Sequence, residues 1–486
     1  MLCVSLMPET TESARQAIHR VAGRADLAEV RLDAMRAFDL DVLLAHPPCP
    51  VIVTYRPARE GGLYEGPEDK RLQTLRRAVG LGARYIDVEH DALAALGDVP
   101  PDRLIASYHN FEETPDDLEA IHRRLAETGA GAVKVAVTAE HILDTAPVLR
   151  LLRDARVPTI ALSMGERGVL TRILATKFGA LLTYAADDTG PEAAPGQITL
   201  SRMRDLYRVH RIGPDTEVYG VMGDPVGHSV SPEIHNAAFA EVGCDAVYLP
   251  LWVEGDPAAF VRAMQAFDVG GYSVTIPHKQ DVMAAADEIE PVAQRIGAVN
   301  TLQRRADGSL FATNTDWTAG LSAIEAVVGE GWLRGRRAIG LGCGGVGRAM
   351  AFGLTERGAR LTLSDLDAGR AEALAGELGA ETCSPDDIGN VPCDVLLNCT
   401  PVGMHPETDA SPVPREVLRE GLVVYDAVYN PAETRLLRQA RRAGCRTVAG
   451  LDHFVRQAVE QFELWTGRPA PVERMRQVVV EALGAE

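Results

Sequence analysis

Residues 336–367 read RRAIGLGCGGVGRAMAFGLTERGARLTLSDLD, and this stretch determines the fold predicted for the second half of the chain. A short apolar run leads through a glycine-rich turn into a helical segment, and a second apolar run then ends at Asp365. The glycines fit the pattern GxGxxG in two registers, namely Gly342, Gly344 and Gly347, and Gly340, Gly342 and Gly345. Such glycines let the backbone approach a pyrophosphate at the helix N-terminus, and an acid 18 residues after Gly347 suits a ribose hydroxyl. The stretch therefore predicts a Rossmann-type dinucleotide-binding unit.

On the C-terminal side, the apolar runs DVLLNCT (394–400) and LVVYDAVY (422–429) extend this unit into a parallel sheet. The segment NCTPVGM forms a turn where the nicotinamide end of a dinucleotide is expected. The stretch LDHFVRQAVEQFELWTG (451–467) is amphipathic, and we expect its aromatic side chains to lie in the core.

On the N-terminal side, polar residues stand at strand ends and turns. Ser229 and Ser231 lie near a predicted helix start, where hydroxyls and free backbone N–H groups suit an anion. N-capping by Ser231, with Pro232 at the first helical position, explains one serine without the other. Four further strand ends or turns carry groups suited to proton transfer or hydrogen bonding: Thr275, Lys279, Asn300 and Asp316.

The first half alternates short apolar runs with helical stretches. The predicted strands are 2–6, 27–33, 50–56, 83–89, 103–109, 131–137, 157–164 and 181–186. Most are continuous apolar runs, as expected for parallel strands that are buried on both faces. Eight strands alternating with helices predict a (β/α)8 barrel, and an open doubly wound sheet is the alternative.

Polar exceptions within or just after these strands mark a candidate site. They are Glu29, Arg31, Arg56, Glu60, Asp87, Glu89, His109, Lys134 and Arg172. Most fall toward the carboxyl ends of strands, where barrel active sites form. For Lys134, an internal ion pair is the structural alternative, but a whole set of buried charges is hard to explain by packing.

Lys134 lies within an apolar strand, and Arg31, Arg56 and Arg172 are expected near it. Burial and neighbouring positive charges both favour the neutral amine, which can form a Schiff base with a ketone. His109 could then remove the acidified proton and protonate a leaving hydroxyl, with Glu60 orienting the imidazole. The predicted chemistry is imine-assisted elimination or aldol chemistry on a small anionic ketone.

The segments EVRLD, TYRPAREGG, YIDVEH, SYHNF, KVAV, SMGERGVLTR and APGQ occur in this order over residues 1–210, and together they resemble type I 3-dehydroquinate dehydratase. The resemblance implies Lys134 as the Schiff-base lysine, His109 as the acid–base and Glu60 as its partner. It implies a substrate-binding set of Ser5, Glu29, Arg31, Arg56, Arg172 and Gln197. Many relatives have a serine one residue before APGQ, and here that residue is Ala193, so we expect one lid contact to be lost.

The segments HSVSP, VTIPHK, AVNTL, TNTDWTAG, GCGGVGR, NCTPVGM, DAVYNP and GLDHFVRQA resemble shikimate dehydrogenase over about 218–486. The resemblance implies Lys279 and Asp316 as the proton-handling pair. It implies substrate contacts from Ser229, Ser231, Thr275, Asn300, Tyr429 and Gln457. It places the nucleotide on Gly342, Gly344, Gly345, Gly347, Asp365, Arg370, Thr400 and Gly450.

The cofactor is predicted to be NAD or NADP, and Asp365 favours NAD. Shikimate dehydrogenases mostly use NADP, with an arginine at the slot that Asp365 occupies here. A carboxylate suits free ribose hydroxyls and repels a 2′-phosphate. Arg370 on the next helix could partly offset this repulsion, and helix capping by Asp367 would leave Asp365 free.

Composition restricts the partners. The chain has 486 residues and a formal net charge of −19, which argues against a large nucleic-acid interface. No apolar run approaches the roughly 18 residues of a membrane helix. The N-terminal residues 1–16 lack the features of a signal or transit peptide. Eight scattered cysteines, without a CxxC pair or HExxH, predict reduced thiols, a cytoplasmic location and no metal.

Together the two resemblances imply a bifunctional chain that dehydrates 3-dehydroquinate to 3-dehydroshikimate and reduces the latter to shikimate. The expected domains are the barrel (1–212), a substrate-binding subdomain (213–320, completed by 451–486) and a Rossmann subdomain (321–450). The alternatives are a catabolic NAD-dependent quinate/shikimate dehydrogenase with a dehydratase, and a catalytically dead sensor. The sensor should have lost Lys134, Lys279 or Asp316, and all three are present. The oligomeric state is not predicted.

Overall fold

The computed structural model describes residues 1–191, 194, 196–227 and 229–484 of the chain. The described residues form two compact units. The first contains residues 1–217 with 245–247 and 251–254, and the second contains the remaining described residues.

The first unit is built from eight strands and seven helices. The strands are Leu2–Leu6 (β1), Leu27–Arg31 (β2), Val51–Thr54 (β3), Tyr85–Glu89 (β4), Leu104–His109 (β5), Ala132–Thr138 (β6), Thr159–Met164 (β7) and Thr183–Ala186 (β8). The helices are Thr11–Val21 (α1), Leu40–Leu43 (α2), Glu68–Gly80 (α3), Leu93–Leu96 (α4), Leu118–Ala126 (α5), Thr145–Asp154 (α6) and Val169–Ile173 (α7). Each of the eight predicted strands is therefore present.

The sheet of this unit is a nearly closed parallel barrel. Its strands follow the order β7-β6-β5-β4-β3-β2-β1-β8, and the paired strands run parallel. Across the gap between β7 and β8, the Leu181 N–H donates to the Thr159 carbonyl at 2.8 Å. The barrel prediction is confirmed, and the open-sheet alternative is wrong because the strand order follows the chain without reversal.

The barrel interior is layered. Side chains of a strand alternate between its two faces, so Ala132, Lys134 and Ala136 share one face of β6. Ala132 and Ala136 belong to the apolar cluster inside the barrel, with Ile52, Tyr184 and others. Lys134 therefore also points inward, next to the apolar floor, and the charged groups of the neighbouring strands surround it.

Two further sheets are built mainly from residues of the second unit. The first has Glu217–Gly223 (β9), Ala246–Trp252 (β10), Val269–Val274 (β11), Glu288–Ile289 (β12), Thr301–Arg304 (β13) and Leu310–Thr313 (β14), in the order β10-β9-β11-β13-β14-β12. The second has Arg337–Leu341 (β15), Arg360–Ser364 (β16), Glu381–Thr382 (β17), Val395–Asn398 (β18), Val423–Asp426 (β19) and Arg446–Val448 (β20), in the order β17-β16-β15-β18-β19-β20.

Nine helices of the described chain cover these two sheets. They are Ser231–Glu241 (α8), Pro257–Met264 (α9), Pro291–Ile296 (α10), Asp316–Val328 (α11), Gly345–Glu356 (α12), Ala368–Leu378 (α13), Arg435–Arg442 (α14), Gly450–Thr466 (α15) and Val472–Ala482 (α16). Helix α15 returns to the first sheet, where Gln461 Nε2 donates to Thr301 Oγ1 at 2.9 Å and Trp465 Nε1 donates to the Leu302 carbonyl at 3.0 Å. Phe462 and Trp465 are buried, as predicted for the aromatic face of α15.

The β15–β20 sheet is parallel and reverses its strand order between β15 and β18. In open parallel sheets, the crevice at the carboxyl ends of the two strands beside such a reversal receives the ligand. The GxGxxG turn follows β15, so the fold positions it at this crevice. The predicted Rossmann sheet is confirmed.

None of the helices in the described parts of the chain combines the length and apolar character that a bilayer crossing requires.

Candidate active sites

All nine side chains that the family resemblance implies for the first site line a single cavity of the barrel. They are Ser5, Glu29, Arg31, Arg56, Glu60, His109, Lys134, Arg172 and Gln197. Apolar and aromatic side chains, including Phe111, Met164 and Tyr184, complete the wall. Ala193, where a lid contact is expected to be lost, lies outside the described residues.

Lys134 is buried beside carboxylates. Its Nζ lies 2.8 Å from Asp87 Oδ2 and 4.0 Å from Glu29 Oε1, and it lies over the Tyr184 ring. Burial alone would raise the pKa of Asp87, but the charges of Arg56 and Lys134 hold that pKa well below its usual value. The sequence predicts arginines near the amine and leaves an internal ion pair of Lys134 as the alternative. The ion pair is present, because a buried cation needs a counter-charge and Asp87 supplies it.

His109 contacts its predicted partner, since its Nδ1 lies 3.2 Å from Glu60 Oε2. The ring stacks on Phe111, with centroids 6.0 Å apart. Burial, together with the positive charges of Arg56 and Lys134, holds the pKa of His109 well below its usual value. Burial also raises the pKa of Glu60 to about 7. The imidazole is therefore neutral near pH 7 and able to accept a proton.

The remaining polar wall is preorganised by hydrogen bonds. Glu29 accepts hydrogen bonds from Ser5 Oγ at 2.5 Å and from Thr54 Oγ1 at 2.7 Å. The guanidinium of Arg31 is held by Asp33 through two contacts of 2.9 and 2.7 Å. These partners hold the Glu29 and Arg31 side chains in place at the cavity, where they can bind the hydroxyls of a substrate.

A buried ion network behind the cavity was only partly visible in the sequence. Arg56 pairs with Asp87 at 2.8 Å and with Glu89 at 2.6 Å, and Arg71 pairs with Glu89 at 2.8 Å. Asp87 and Glu89 were noted as polar residues in an apolar strand, but they were given no role. Arg71 was missed because a charged residue in the predicted helix of α3 resembles an exposed one, whereas here it is fully buried.

In the second unit, Lys279 and Asp316 form the predicted pair. Lys279 Nζ lies 2.6 Å from Asp316 Oδ2, and Asn300 Nδ2 donates to Asp316 Oδ1 at 3.0 Å. All three side chains are buried. Burial alone would raise the pKa of Asp316, but Lys279 and His453 hold that pKa below its usual value. An ammonium held by an ionised carboxylate can donate a proton to a developing alkoxide.

Ser229 and Ser231 are joined by a hydrogen bond of 3.0 Å between their hydroxyls, and Tyr429 hydrogen-bonds to Ser229. Helix α8 begins at Ser231, and the Ser231 N–H donates to Ser229 Oγ at 3.2 Å. The expectation that Ser231 caps the helix is wrong. Ser231 and Pro232 occupy the first turn, Val230 is the N-cap residue, and no side chain of the described residues makes a capping hydrogen bond there.

The two remaining predicted substrate residues stand near these groups. Thr275 directly follows β11 and packs against Gly223 at the end of β9. A Cβ added to Gly223 would lie 2.4 Å from Thr275 Cγ2. Gln457 is buried on α15, where its side-chain Nε2 donates to the Phe454 backbone carbonyl. The backbone carbonyl of Gln457 accepts from Thr315 Oγ1. Thr315 Oγ1 also accepts from Asn300 Nδ2 at 2.9 Å, so Gln457 lies beside the Asn300–Asp316 group.

The glycine turn after β15 fits a dinucleotide. Gly342 has φ +87°, and a Cβ at Gly347 would lie 1.8 Å from the Gly342 carbonyl oxygen. A Cβ at Gly344, the residue that precedes α12, would meet no heavy atom within 4 Å, so this face is open to a ligand. A Cβ at Gly345 would lie 2.7 Å from Lys279 Cδ. The start of α12 therefore packs against Lys279.

Asp365 follows β16, at the edge of the same turn. Its Oδ2 accepts from the Cys343 N–H at 2.7 Å, and its Oδ1 accepts from the Asp367 N–H at 2.9 Å. Asp367 caps α13 through the Arg370 N–H, as expected. The expectation that Asp365 is then free is wrong, because both of its oxygens bind backbone N–H groups. Its carboxylate remains next to the turn, where a ribose is bound in this fold.

The other predicted cofactor residues occupy different positions. Thr400 lies just after β18. A Cβ added to Gly342 would lie 2.9 Å from Thr400 Cγ2, so the Thr400 side chain borders the crevice. Gly450 begins α15, where a Cβ would lie 2.3 Å from the Val428 carbonyl oxygen. Arg370 is exposed on α13.

Family models match both halves of the chain. The model described as type I 3-dehydroquinase matches residues 2–214. The shikimate dehydrogenase substrate binding domain matches residues 221–302, and the shikimate 5'-dehydrogenase C-terminal domain matches residues 450–480.

A bifunctional 3-dehydroquinate dehydratase/shikimate dehydrogenase of Arabidopsis thaliana, described as chloroplastic, is 42% identical over 482 residues. The match covers 94% of this chain and 80% of the plant protein. A crystal structure of a shikimate dehydrogenase in complex with NADP+ matches with a TM-score of 0.53 and 35% identity, over 56% of this chain and 97% of that chain. A quinate dehydrogenase from Corynebacterium glutamicum in complex with NAD matches with a TM-score of 0.51 and 32% identity, over 55% of this chain and 99% of that chain.

The match to the plant protein spans both halves, and the two halves carry the two corresponding family signatures. The catabolic and sensor alternatives are not favoured by these matches. The chain therefore belongs to the family of bifunctional 3-dehydroquinate dehydratase/shikimate dehydrogenases, enzymes of the shikimate pathway.

Proposed function

We propose that Lys134 and His109 carry out the dehydration of 3-dehydroquinate in the barrel. The single observation that supports this most strongly is the buried Lys134 amine in a cavity that His109 also lines. Attack of the amine on the ketone and loss of water gives an iminium on Lys134. The iminium acidifies the neighbouring carbon, and neutral His109 accepts the proton from it.

His109 then returns that proton to the leaving hydroxyl, which departs as water while the carbon–carbon double bond forms. Hydrolysis of the iminium releases 3-dehydroshikimate and restores the Lys134 amine. Glu60 orients the imidazole through the 3.2 Å contact to Nδ1. Glu29, Arg31 and the other polar side chains of the cavity bind the substrate hydroxyls, and the buried Arg172 binds its carboxylate.

In the second unit, we assign the reduction of 3-dehydroshikimate to the Lys279–Asp316 pair. A bound nicotinamide cofactor supplies the hydride. Lys279 donates a proton to the oxygen of the carbonyl carbon that is reduced, and Asp316 holds the ammonium in place at 2.6 Å. The linked hydroxyls of Ser229, Ser231 and Tyr429 bind the substrate carboxylate. Thr275, Asn300 and Gln457 bind ring hydroxyls.

The nucleotide is assigned to the crevice beside Gly342, Gly344, Gly345, Gly347 and Thr400, with Gly450 at the start of α15. We propose NAD as the preferred cofactor, because the Asp365 carboxylate borders the ribose position and repels a 2′-phosphate. The two similar crystal structures hold different cofactors, NADP+ in one and NAD in the other. The positive charge of Arg370 would reduce this preference for NAD over NADP, because it attracts a 2′-phosphate.

We retain the domain division 1–212, 213–320 with 451–486, and 321–450 as part of this proposal. We also propose a cytoplasmic location, which the eight free cysteines favour because disulfides are rare in reducing compartments.

The test supplies 3-dehydroquinate with NADH or NADPH to the whole chain and follows both 3-dehydroshikimate and shikimate. We expect 3-dehydroshikimate alone without reduced cofactor and shikimate when cofactor is present. Lys279→Met should stop the second step and leave the first within a few-fold. Undiminished shikimate formation by this variant would exclude the proposed role of Lys279.

A further inference from the structure

Two buried side chains stand behind Asp316 on the side away from Lys279. His453, on α15, places Nε2 3.3 Å from Asp316 Oδ1. Tyr425, on β19, hydrogen-bonds through its hydroxyl to His453 Nδ1. All three side chains are buried, and neither His453 nor Tyr425 has a role in the function assigned above.

The two contacts of the imidazole suit one arrangement of its protons. His453 Nε2 faces a carboxylate oxygen, so this nitrogen carries a proton and donates it. In the neutral ring Nδ1 is then an acceptor, and the Tyr425 hydroxyl donates to it. Burial raises the pKa of Tyr425 well above its usual value, so the phenol keeps its proton. The chain therefore runs Tyr425 O–H to Nδ1, and Nε2–H to Asp316.

The helix that begins with Asp316 leaves space for this ring. One turn later, a Cβ at Gly320 would lie 3.1 Å from His453 Nδ1 and 2.2 Å from Met350 Sδ. A side chain at Gly320 would therefore crowd both the imidazole and Met350. The His453 ring can therefore lie next to Asp316 because Gly320 has no side chain.

We propose that His453 is a positioning residue for the reduction, held in one tautomer by Tyr425. The proposal rests on the assigned role of the Lys279–Asp316 pair. Asp316 Oδ1 accepts from Asn300 and from His453, while Oδ2 faces Lys279. Two donors on Oδ1 prevent rotation of the carboxylate, so that Oδ2 stays aligned with the ammonium.

Three substitutions of His453 separate this role from simple packing. The amide nitrogen of glutamine can occupy the place of Nε2, whereas the amide of asparagine reaches only the place of Nδ1. Methionine fills the space without offering a donor. We expect kcat for reduction of 3-dehydroshikimate to fall roughly ten- to one-hundred-fold in His453→Met and His453→Asn, as for loss of a hydrogen bond to a buried charge.

His453→Gln should restore kcat to within a few-fold of the parent, because it returns a donor to Asp316 Oδ1. KM for 3-dehydroshikimate should change by less than about threefold in all three variants, as expected for loss of a group that does not touch substrate. Tyr425→Phe should lower kcat by a smaller factor, since the ring stays in place but its tautomer is no longer fixed. Nicotinamide fluorescence and the dehydratase activity of the same chain report an intact protein.

His453→Met with unchanged kcat would overturn the proposal, and so would His453→Gln as slow as His453→Asn. If His453→Met does not fold, the comparison of the glutamine and asparagine variants decides alone. A parent-like rate for Lys279→Met would instead refute the assigned reduction site, so the two failures are distinguishable.

Discussion

Asp87 lies between two cations inside the barrel, 2.8 Å from Lys134 Nζ and 2.8 Å from Arg56 Nη2. A buried carboxylate without a counter-charge is costly, and Arg56 removes that cost whenever the lysine is not charged. In the proposed mechanism, Arg56 still neutralises Asp87 while the Lys134 amine attacks a ketone. The proposed iminium again places a positive charge beside Asp87.

This arrangement makes Lys134→Met a clean test of the dehydratase. We expect no measurable dehydration, because no other described lysine lines the cavity. We also expect little loss of stability, since Asp87 keeps Arg56. Sodium borohydride with 3-dehydroquinate should add a stable mass to the Lys134 peptide of the parent and none to the variant.

The control for this variant is reduction of 3-dehydroshikimate by the same chain, which should stay within a few-fold of the parent. Substantial dehydration by Lys134→Met, or a borohydride adduct on another peptide, would show that the imine is not formed here.

The pH dependence of dehydration should follow Glu60. Burial raises the pKa of this carboxyl to about 7, whereas burial and two neighbouring cations keep His109 neutral well below that pH. As pH rises through about 7, Glu60 ionises and becomes a stronger acceptor for the Nδ1–H, which makes the imidazole a better base. Dehydratase kcat should therefore rise between about pH 6 and pH 8.

Glu60→Gln should remove this rise, because the amide does not titrate. Glu112→Gln is the matched control, since Glu112 is exposed on the segment after β5. A pH profile that is identical in the parent and Glu60→Gln would contradict the assignment of Glu60 as the titrating group.

The fold and much of both sites could be predicted because their signals are local. Buried parallel strands appear as continuous apolar runs, so all eight barrel strands were identified, with differences only at their ends. Charges inside such runs are costly to bury unless they are paired, so a set of them indicates a functional site, and this indicated Lys134 and Glu29. The glycine turn around Gly342 is equally local, since its spacing reflects backbone approach.

Contacts between distant segments were predicted only where the family resemblance implied them, as for Glu60 with His109 and Lys279 with Asp316. Asp365 was expected to be free, but it binds the Cys343 N–H, 22 residues away along the chain. His453 appeared to be one polar residue among the core positions of an amphipathic helix, and its contact with Asp316 spans 137 residues. No periodicity encodes such pairs, because they depend on how separate elements pack.

Two glycines of the nucleotide turn should respond differently to alanine. In Gly347→Ala, the new Cβ would lie 1.8 Å from the Gly342 carbonyl oxygen, so the backbone must move. We expect a loss of roughly 1–3 kcal/mol in unfolding free energy, measured by thermal or urea denaturation. In Gly344→Ala, no heavy atom lies within 4 Å of the new Cβ, so stability should fall by less than about 1 kcal/mol, through the poorer N-cap that alanine makes for α12.

Gly344→Ala should nevertheless weaken cofactor binding, because the new methyl group occupies the open face at the start of α12. Titration of nicotinamide fluorescence measures this, with dehydratase activity as the internal control. Unchanged cofactor affinity in Gly344→Ala would mean that the pyrophosphate lies elsewhere.

The cofactor preference should depend on the charge of Asp365. We expect a higher kcat/KM with NADH than with NADPH at fixed 3-dehydroshikimate. Asp365→Asn leaves one side-chain oxygen, whereas the carboxylate accepts from two N–H groups, those of Cys343 and Asp367. The substitution therefore weakens the turn, which lowers the affinity for both cofactors. The ratio of the two kcat/KM values cancels that shared cost and isolates the charge.

Removing the charge should shift this ratio toward NADPH by at least about tenfold, since juxtaposed like charges can cost several kcal/mol. Asp367→Asn is the control, because asparagine retains the helix cap and leaves Asp365 in place. A parent enzyme that prefers NADPH by about tenfold or more, or an unchanged ratio in Asp365→Asn, would show that Asp365 only holds the turn. In that case, the 2′-phosphate would be met by other groups, and Arg370 would be the first residue to replace.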